Sequence, residues 1–172
     1  FPGTPDVPME FNPNGWPATA GTTTELYTAW QGALAEWNGA GGELVWVDQG
    51  TTTNVSFAND GTFNAHFSAT AASGGTLAVA QIFDTAGVIE DCDIRFFAAN
   101  DTLTPIPWSS DPAGDPAGID VQYVAEHELG HCLGLDHSLD PTAVMDATAT
   151  FGLPATGRAL QQDDIDGLIA IY

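Results

Sequence analysis

The chain has 172 residues, enough for one domain with a sizeable core, since a chain near this length buries about 70% of its unfolded surface. Two arginines, no lysine and 23 acids leave a formal net charge of −21. Such a surface repels phosphate backbones and anionic lipid, which argues against nucleic acid and membranes as partners.

No apolar run reaches transmembrane length, and there is no initiator methionine and no basic-then-apolar leader. The chain therefore reads as a processed, secreted, extracellular monomer whose two cysteines can form one disulfide. The acidity reads first as a solvated face suited to a salty medium and second as a field for cationic substrates. Salt screening separates the two.

Residues 1–17 carry five prolines and form an extended arm, about 1–20, that lies on the body with a short strand around Val7–Phe11. Thr22 and Glu25 make a capping box. Leu26, Trp30, Ala33, Leu34 and Trp37 follow at helical spacing, which predicts an amphipathic helix ending near Asn38-Gly39. Short runs then predict strands of one sheet at Leu44–Val47, Val55–Phe57, Phe63–Phe67, Thr76–Phe83 and Ile94–Phe97. Residues 98–119 hold four prolines and four Asn or Asp residues, a long loop of the kind that carries function.

The stretch from His127 to His137 carries the chemistry. A helix advances about 100° per residue, so His127 and His131 share a face and can reach one ion, with Glu128 beside them. His137 is too far along the axis for the same helix to deliver it, so the chain must turn back, and Gly134 is where it can. Three neutral imidazoles leave a fourth tetrahedral position for water, and Glu128 is placed to take that water's proton. Val121, Val124, Ala125, Leu129 and Cys132 form a separate stripe facing the sheet, with the histidines at its margin. Cys132 thus points inward, and Cys92, just before the apolar run Ile94–Phe97, is its expected disulfide partner. A pair of buried free thiols is the alternative.

The spacing H-E-x-x-H-x-x-G-x-x-H, followed by Met145, is the metzincin signature. Ser138 after the third histidine, the lead-in Asp120–Ala125 and the closing run Gln162–Tyr172 narrow the resemblance to the matrixins, in the form of a microbial secreted member. No tyrosine follows Met145 before Tyr172, unlike astacins and serralysins. The resemblance covers most of residues 75–172.

It implies an α/β (α+β) fold: a twisted, mostly parallel sheet, a backing helix, the active-site helix and a small C-terminal subdomain ending in a helix. One catalytic domain would span 1–172, its upper subdomain about 21–134 and its lower about 135–172. The implied activity is zinc-dependent endopeptidase action on protein or peptide substrates. His127, His131 and His137 would hold zinc, Glu128 would act as general base, and Met145 would form an apolar floor.

Gly75–Ala80 resembles the family's edge strand, so Leu77, Ala78, Val79 and Ala80 would pair with substrate backbone. Asp146–Arg158 would wall the main specificity pocket. Many animal matrixins have a histidine at position 79 that helps bind a second zinc; valine here implies that this zinc is absent and leaves His66 a strand histidine satisfied by neighbours. Calcium is expected in the 98–119 loop or near Asp84–Asp93. Phe1 would set its α-amino group against Asp163 or Asp164, which also suit the first turn of a helix. Neither cysteine sits in a latency motif, so the chain would be active as it stands. The rival reading is a catalytically silent zinc-binding adhesion or inhibitor module.

Overall fold

The computed structural model describes residues 6–148, 152 and 155–172. Helix α1 spans Thr23–Gly39 and starts as its sequence dictates: the Thr22 hydroxyl accepts from the Glu25 amide at 3.2 Å and the Glu25 carboxylate accepts from the Thr22 amide at 2.7 Å. Its buried stripe is Leu26, Ala29, Trp30, Ala33, Leu34 and Trp37.

Five strands form the main sheet: β1 Asp6–Phe11, β2 Val45–Thr51, β3 Asn64–Ala71, β4 Ala78–Thr85 and β5 Val88–Ala99, in the order β2-β1-β3-β5-β4. All neighbours are parallel except β4, which runs antiparallel to β5 and forms one edge. This is the mostly parallel α/β arrangement expected.

Three details differ from expectation. The N-terminal arm does not merely lie on the body, because β1 is inserted between β2 and β3 and buries Val7, Met9 and Phe11. Pro8 stands opposite Val47 of β2, at a level where β1 has no partner in β3, whose pairing involves only Glu10 and Phe11. Val55–Phe57 is not a strand. Its amides are taken by side chains instead: Ser56 N–H donates to Asn54 Oδ1, and the neighbouring Ala58 N–H donates to Asp93 Oδ2. The 98–119 segment is also not all loop, since β6 (Trp108–Ser109) and β7 (Ile119–Asp120) pair in parallel within it.

Strand β7 feeds directly into helix α2, Val121–Cys132, whose N-cap Asp120 accepts from the Tyr123 amide at 2.9 Å. Helix α2 packs between α1 on one side and β4 and β5 on the other. The stripe Val121, Val124, Ala125, Leu129 and Cys132 is fully buried, as its spacing predicts. Cys132 is joined to Cys92 of β5 with a Cα separation of 5.7 Å. The Trp37 indole donates to the Glu126 carbonyl at 2.8 Å and locks α1 to α2. Helix α3, Gln162–Ile171, closes the chain.

Helix α2 also buries an acid that periodicity does not place in a core. Glu126 accepts from Gln122 through Oε1, while Oε2 has no partner among the described residues. Burial pushes its carboxyl up to about 9; Gln122 and Arg158 work against that rise, and the charges of Glu36 and Asp120 add to it. The folded protein therefore keeps a proton that the unfolded chain releases above the ordinary value of 4.5. The stabilisation is complete below that value and is lost as pH rises toward 9. Glu126→Gln is accordingly expected to raise Tm at pH 8 and change it little at pH 4. Parallel thermal melts of the two proteins check this, and an equal shift at both pH values would contradict it.

Candidate metal centre

Helix α2 sets His127 and His131 one turn apart, with their Nε2 atoms 3.1 Å from each other. Each ring donates its Nδ1 hydrogen to a carbonyl at 2.8 Å, His127 to Val144 and His131 to Leu135. Both Nε2 atoms then carry lone pairs, and two lone pairs cannot bond each other. Two ligands about 2.0–2.1 Å from one tetrahedral zinc stand ~3.3 Å apart, so the spacing matches a shared ion.

The chain reverses at Gly134, where φ is +92°, and returns His137 to the pair. Its ring centroid lies 5.2 Å from that of His127 and 4.8 Å from that of His131. The ligand atoms of all three lie within 4.8 Å of one another, and among the described residues no other group of three or more His, Cys, Asp or Glu is so placed. Burial lowers His127 to about 4, with the neighbouring imidazoles adding, and burial lowers His131 as well. Both are thereby kept neutral, the form that binds metal.

Glu128 stands beside the triad, buried, where its carboxyl is pushed up to about 8 by desolvation; the Ala80 N–H of β4 donates to it and opposes that rise. The four residues open on a cleft of about 650 Å³. Residues 75–80 and Ile82, Ile119, Tyr123 and Val124, and Asp146, Ala147 and Thr148 line it with them. Leu77, Ala78, Val79 and Ala80 therefore all line the cleft. Of the expected wall Asp146–Arg158, residues 149–151 and 153–154 lie outside the described residues.

Met145 is buried and packed so closely on Gly130 that a Cβ there would stand 2.3 Å from its sulfur. Asp164 of α3 fixes this segment by accepting from the amides of Met145 and Val144, both at 2.9 Å. The Val144 carbonyl in turn orients His127. Asp164 thus supports a metal-facing side chain from another helix. Sequence spacing assigned it to the helix start, a role it also fills, since it accepts from the Gln161 amide at 2.8 Å. The Asp163 carboxylate accepts from the Ser138 hydroxyl at 2.5 Å. Phe1, expected against one of these acids, lies outside the described residues.

Four of the acids in the stretches considered for calcium accept from backbone amides. Asp91 accepts from Asp60 and Gly61, and Asp93 from Ala58, which fastens the 58–61 turn to β5. Asp111 and Asp115 bind the amides of Ala113 and Ala117. His66 lies in β3 between Asn64 and Arg95, at 3.2 and 3.4 Å, and burial lowers it to about 4. It is a satisfied strand histidine.

Comparison with known proteins agrees with this geometry. Human matrilysin is 49% identical over 59 residues, which cover 34% of this chain and 22% of that protein. Human neutrophil collagenase is 48% identical over 56 residues, 33% of this chain and 12% of that protein. Rat matrix metalloproteinase-16 is 43% identical over 67 residues, 38% and 10%. These matched stretches span less than a quarter of the relatives' own length. The sequence profile of the matrixin family matches residues 19–172, nearly the whole chain, and the chain belongs to that family.

Proposed function

We propose that this chain is the catalytic unit of a zinc-dependent endopeptidase that cuts extracellular proteins. One observation carries the reading: three imidazoles, those of His127 and His131 kept neutral by burial, converge beside a buried Glu128 on a cleft that is also lined by a sheet edge. His127, His131 and His137 would hold the zinc, the first two through Nε2 because the carbonyls of Val144 and Leu135 take their Nδ1 hydrogens. Bound zinc polarises the scissile carbonyl and acidifies the attacking water. Glu128 takes the proton of that water and later passes it to the leaving amine, so no nucleophilic side chain is needed.

Strand β4 has a neighbour only on its β5 side, which leaves outward backbone groups between Leu77 and Val79 to pair with an extended substrate, the Ala80 N–H being taken by Glu128. The cleft lies between an upper part, about 21–134, and a lower part, about 135–172. Met145 floors the site. The Cys92–Cys132 bond suits an extracellular location, and no described helix is long and apolar enough to cross a membrane. Calcium as a second cation and a monomeric state complete the reading.

Cleavage of peptide substrates is expected to stop when a zinc chelator is added and to return with added zinc. A chain that binds zinc and cuts no peptide would instead be a silent zinc-binding module, adhesive or inhibitory.

A further inference from the structure

Apart from Glu128, the described lining of the cleft holds one carboxylate, Asp146, and no lysine or arginine. Both arginines of the chain are engaged elsewhere: Arg95 lies over the Phe57 ring at 3.8 Å, and Arg158 donates to Asp120. Asp146 is held beside the third histidine, because it bridges to Ser138 and the Ser138 N–H donates to the Met145 carbonyl at 2.8 Å. Its Oδ1 accepts from the Thr148 hydroxyl and, at 2.8 Å, from the Thr148 N–H, which together hold its carboxyl below the usual range. Its Oδ2 has no hydrogen-bond partner among the described residues. Tyr123 lines the same cleft, is only 7% exposed, and its hydroxyl likewise has no partner among the described residues. Desolvation pushes that hydroxyl up to about 12 and the charge of Asp146 adds to the rise, so it keeps its proton. Two polar groups without partners thus share a cleft lined otherwise by apolar residues such as Leu77, Val79, Ile119 and Val124. A desolvated polar group left unmatched costs free energy until a ligand supplies its partner.

We propose that Asp146 is a specificity-determining residue: it selects substrates with a cationic side chain, lysine or arginine, beside the scissile bond, and the Tyr123 hydroxyl gives that side chain a second polar contact. The inference rests on the peptidase reading of the same cleft. A long basic side chain matches both parts of the lining, its methylene stem lying on the apolar residues while its charged head reaches the carboxylate. A purely apolar side chain would leave Oδ2 and the hydroxyl unmatched. An acidic one would meet Asp146 as a like charge, in a chain of net charge −21 with no lysine or arginine in the cleft to offset it. An aspartate serving only to close the turn to Thr148 needs no more than its Oδ1.

Peptides carrying lysine, norleucine or glutamate at each residue flanking the scissile bond test the proposal, norleucine being the uncharged match to the lysine stem. At one of these positions kcat/KM is expected to be at least ~10-fold higher for lysine than for norleucine, lowest for glutamate, and less divided as salt is raised. Asp146→Asn should abolish the preference for lysine over norleucine with zinc content unchanged. Tyr123→Phe removes only the hydroxyl and should weaken the same preference through KM, and it carries the test if Asp146→Asn does not fold. No preference for lysine in the unaltered chain would overturn the proposal. So would a fall in kcat of Asp146→Asn that is equal for both peptides and leaves the preference intact. If the unaltered chain cuts nothing, the peptidase reading has failed. Calorimetric affinities of the same peptides for the zinc-loaded chain, with and without Asp146→Asn, then decide between a preference for lysine and none.

Discussion

Glu128→Ala is expected to lower turnover at least ~10²-fold while zinc stays bound and the fold persists, the usual scale for losing a general base. The separation of the two effects follows from the geometry. Glu128 is not part of the three-histidine cradle, and the His127 and His131 rings are fixed by carbonyls that the substitution does not touch. What disappears is a buried carboxylate held by the Ala80 N–H of the edge strand.

The pH profile supplies an independent check. Desolvation, opposed by the Ala80 N–H, pushes the Glu128 carboxyl up to about 8, and a divalent charge among the histidines would work in the opposite direction. The base must be ionised to accept a proton, so kcat/KM of the unaltered protein is expected to fall as pH drops through the Glu128 value. In Glu128→Gln the residual activity should lose that acidic limb. His137→Ala separates the roles from the other side, because loss of a ligand should lower zinc content after dialysis. Full activity of Glu128→Ala would remove it from the mechanism.

The cluster of three histidines was legible in the sequence because its parts are local. His127, Glu128 and His131 lie within two turns of one helix, and the return of His137 needs only the turn at Gly134. Helix α1 was legible for the same reason, its capping box and apolar stripe being short-range features. What stayed hidden depends on pairing across long separations. Nothing in the proline-rich arm announces that β1 enters the sheet between β2 and β3, since the partners that bury it lie far along the chain. Val55–Phe57 has strand propensity, yet the carboxylate of Asp93 and the amide of Asn54 compete for the local backbone and win.

The polar groups read least well. Asp120 and Asp164 look like helix-terminal residues, and both are, but each also serves a distant segment, Arg158 in one case and Val144–Met145 in the other. Glu126 is adjacent to a metal-facing histidine and would be placed on a solvated face by pattern. Its burial follows from α1 packing over that side of α2. A single sequence records which residues can cap or bind; it does not record which distant partner is delivered.

The disulfide carries the second large effect. Replacing Cys92 and Cys132 together by alanine is expected to lower the unfolding free energy by about 4 kcal/mol in the chain-entropy model. The two residues are separated by 40 positions, so the bond removes the closure entropy of most of β5, the following loop and α2 from the unfolded chain. Both side chains are fully buried, so any void left by the missing sulfurs adds to the loss. Zinc affinity should change less than stability. The end of α2 has its own fastenings, since the Leu133 amide donates to Leu129 and Gly130 and His131 Nδ1 donates to Leu135. Guanidinium unfolding of the zinc-loaded and zinc-free forms measures both quantities, because their difference reports binding to the folded state. A loss of stability below ~1 kcal/mol would mean that the unfolded chain stays compact between residues 92 and 132 without the bond. In that case the crosslink would contribute little to the fold of the segment that carries His127 and His131.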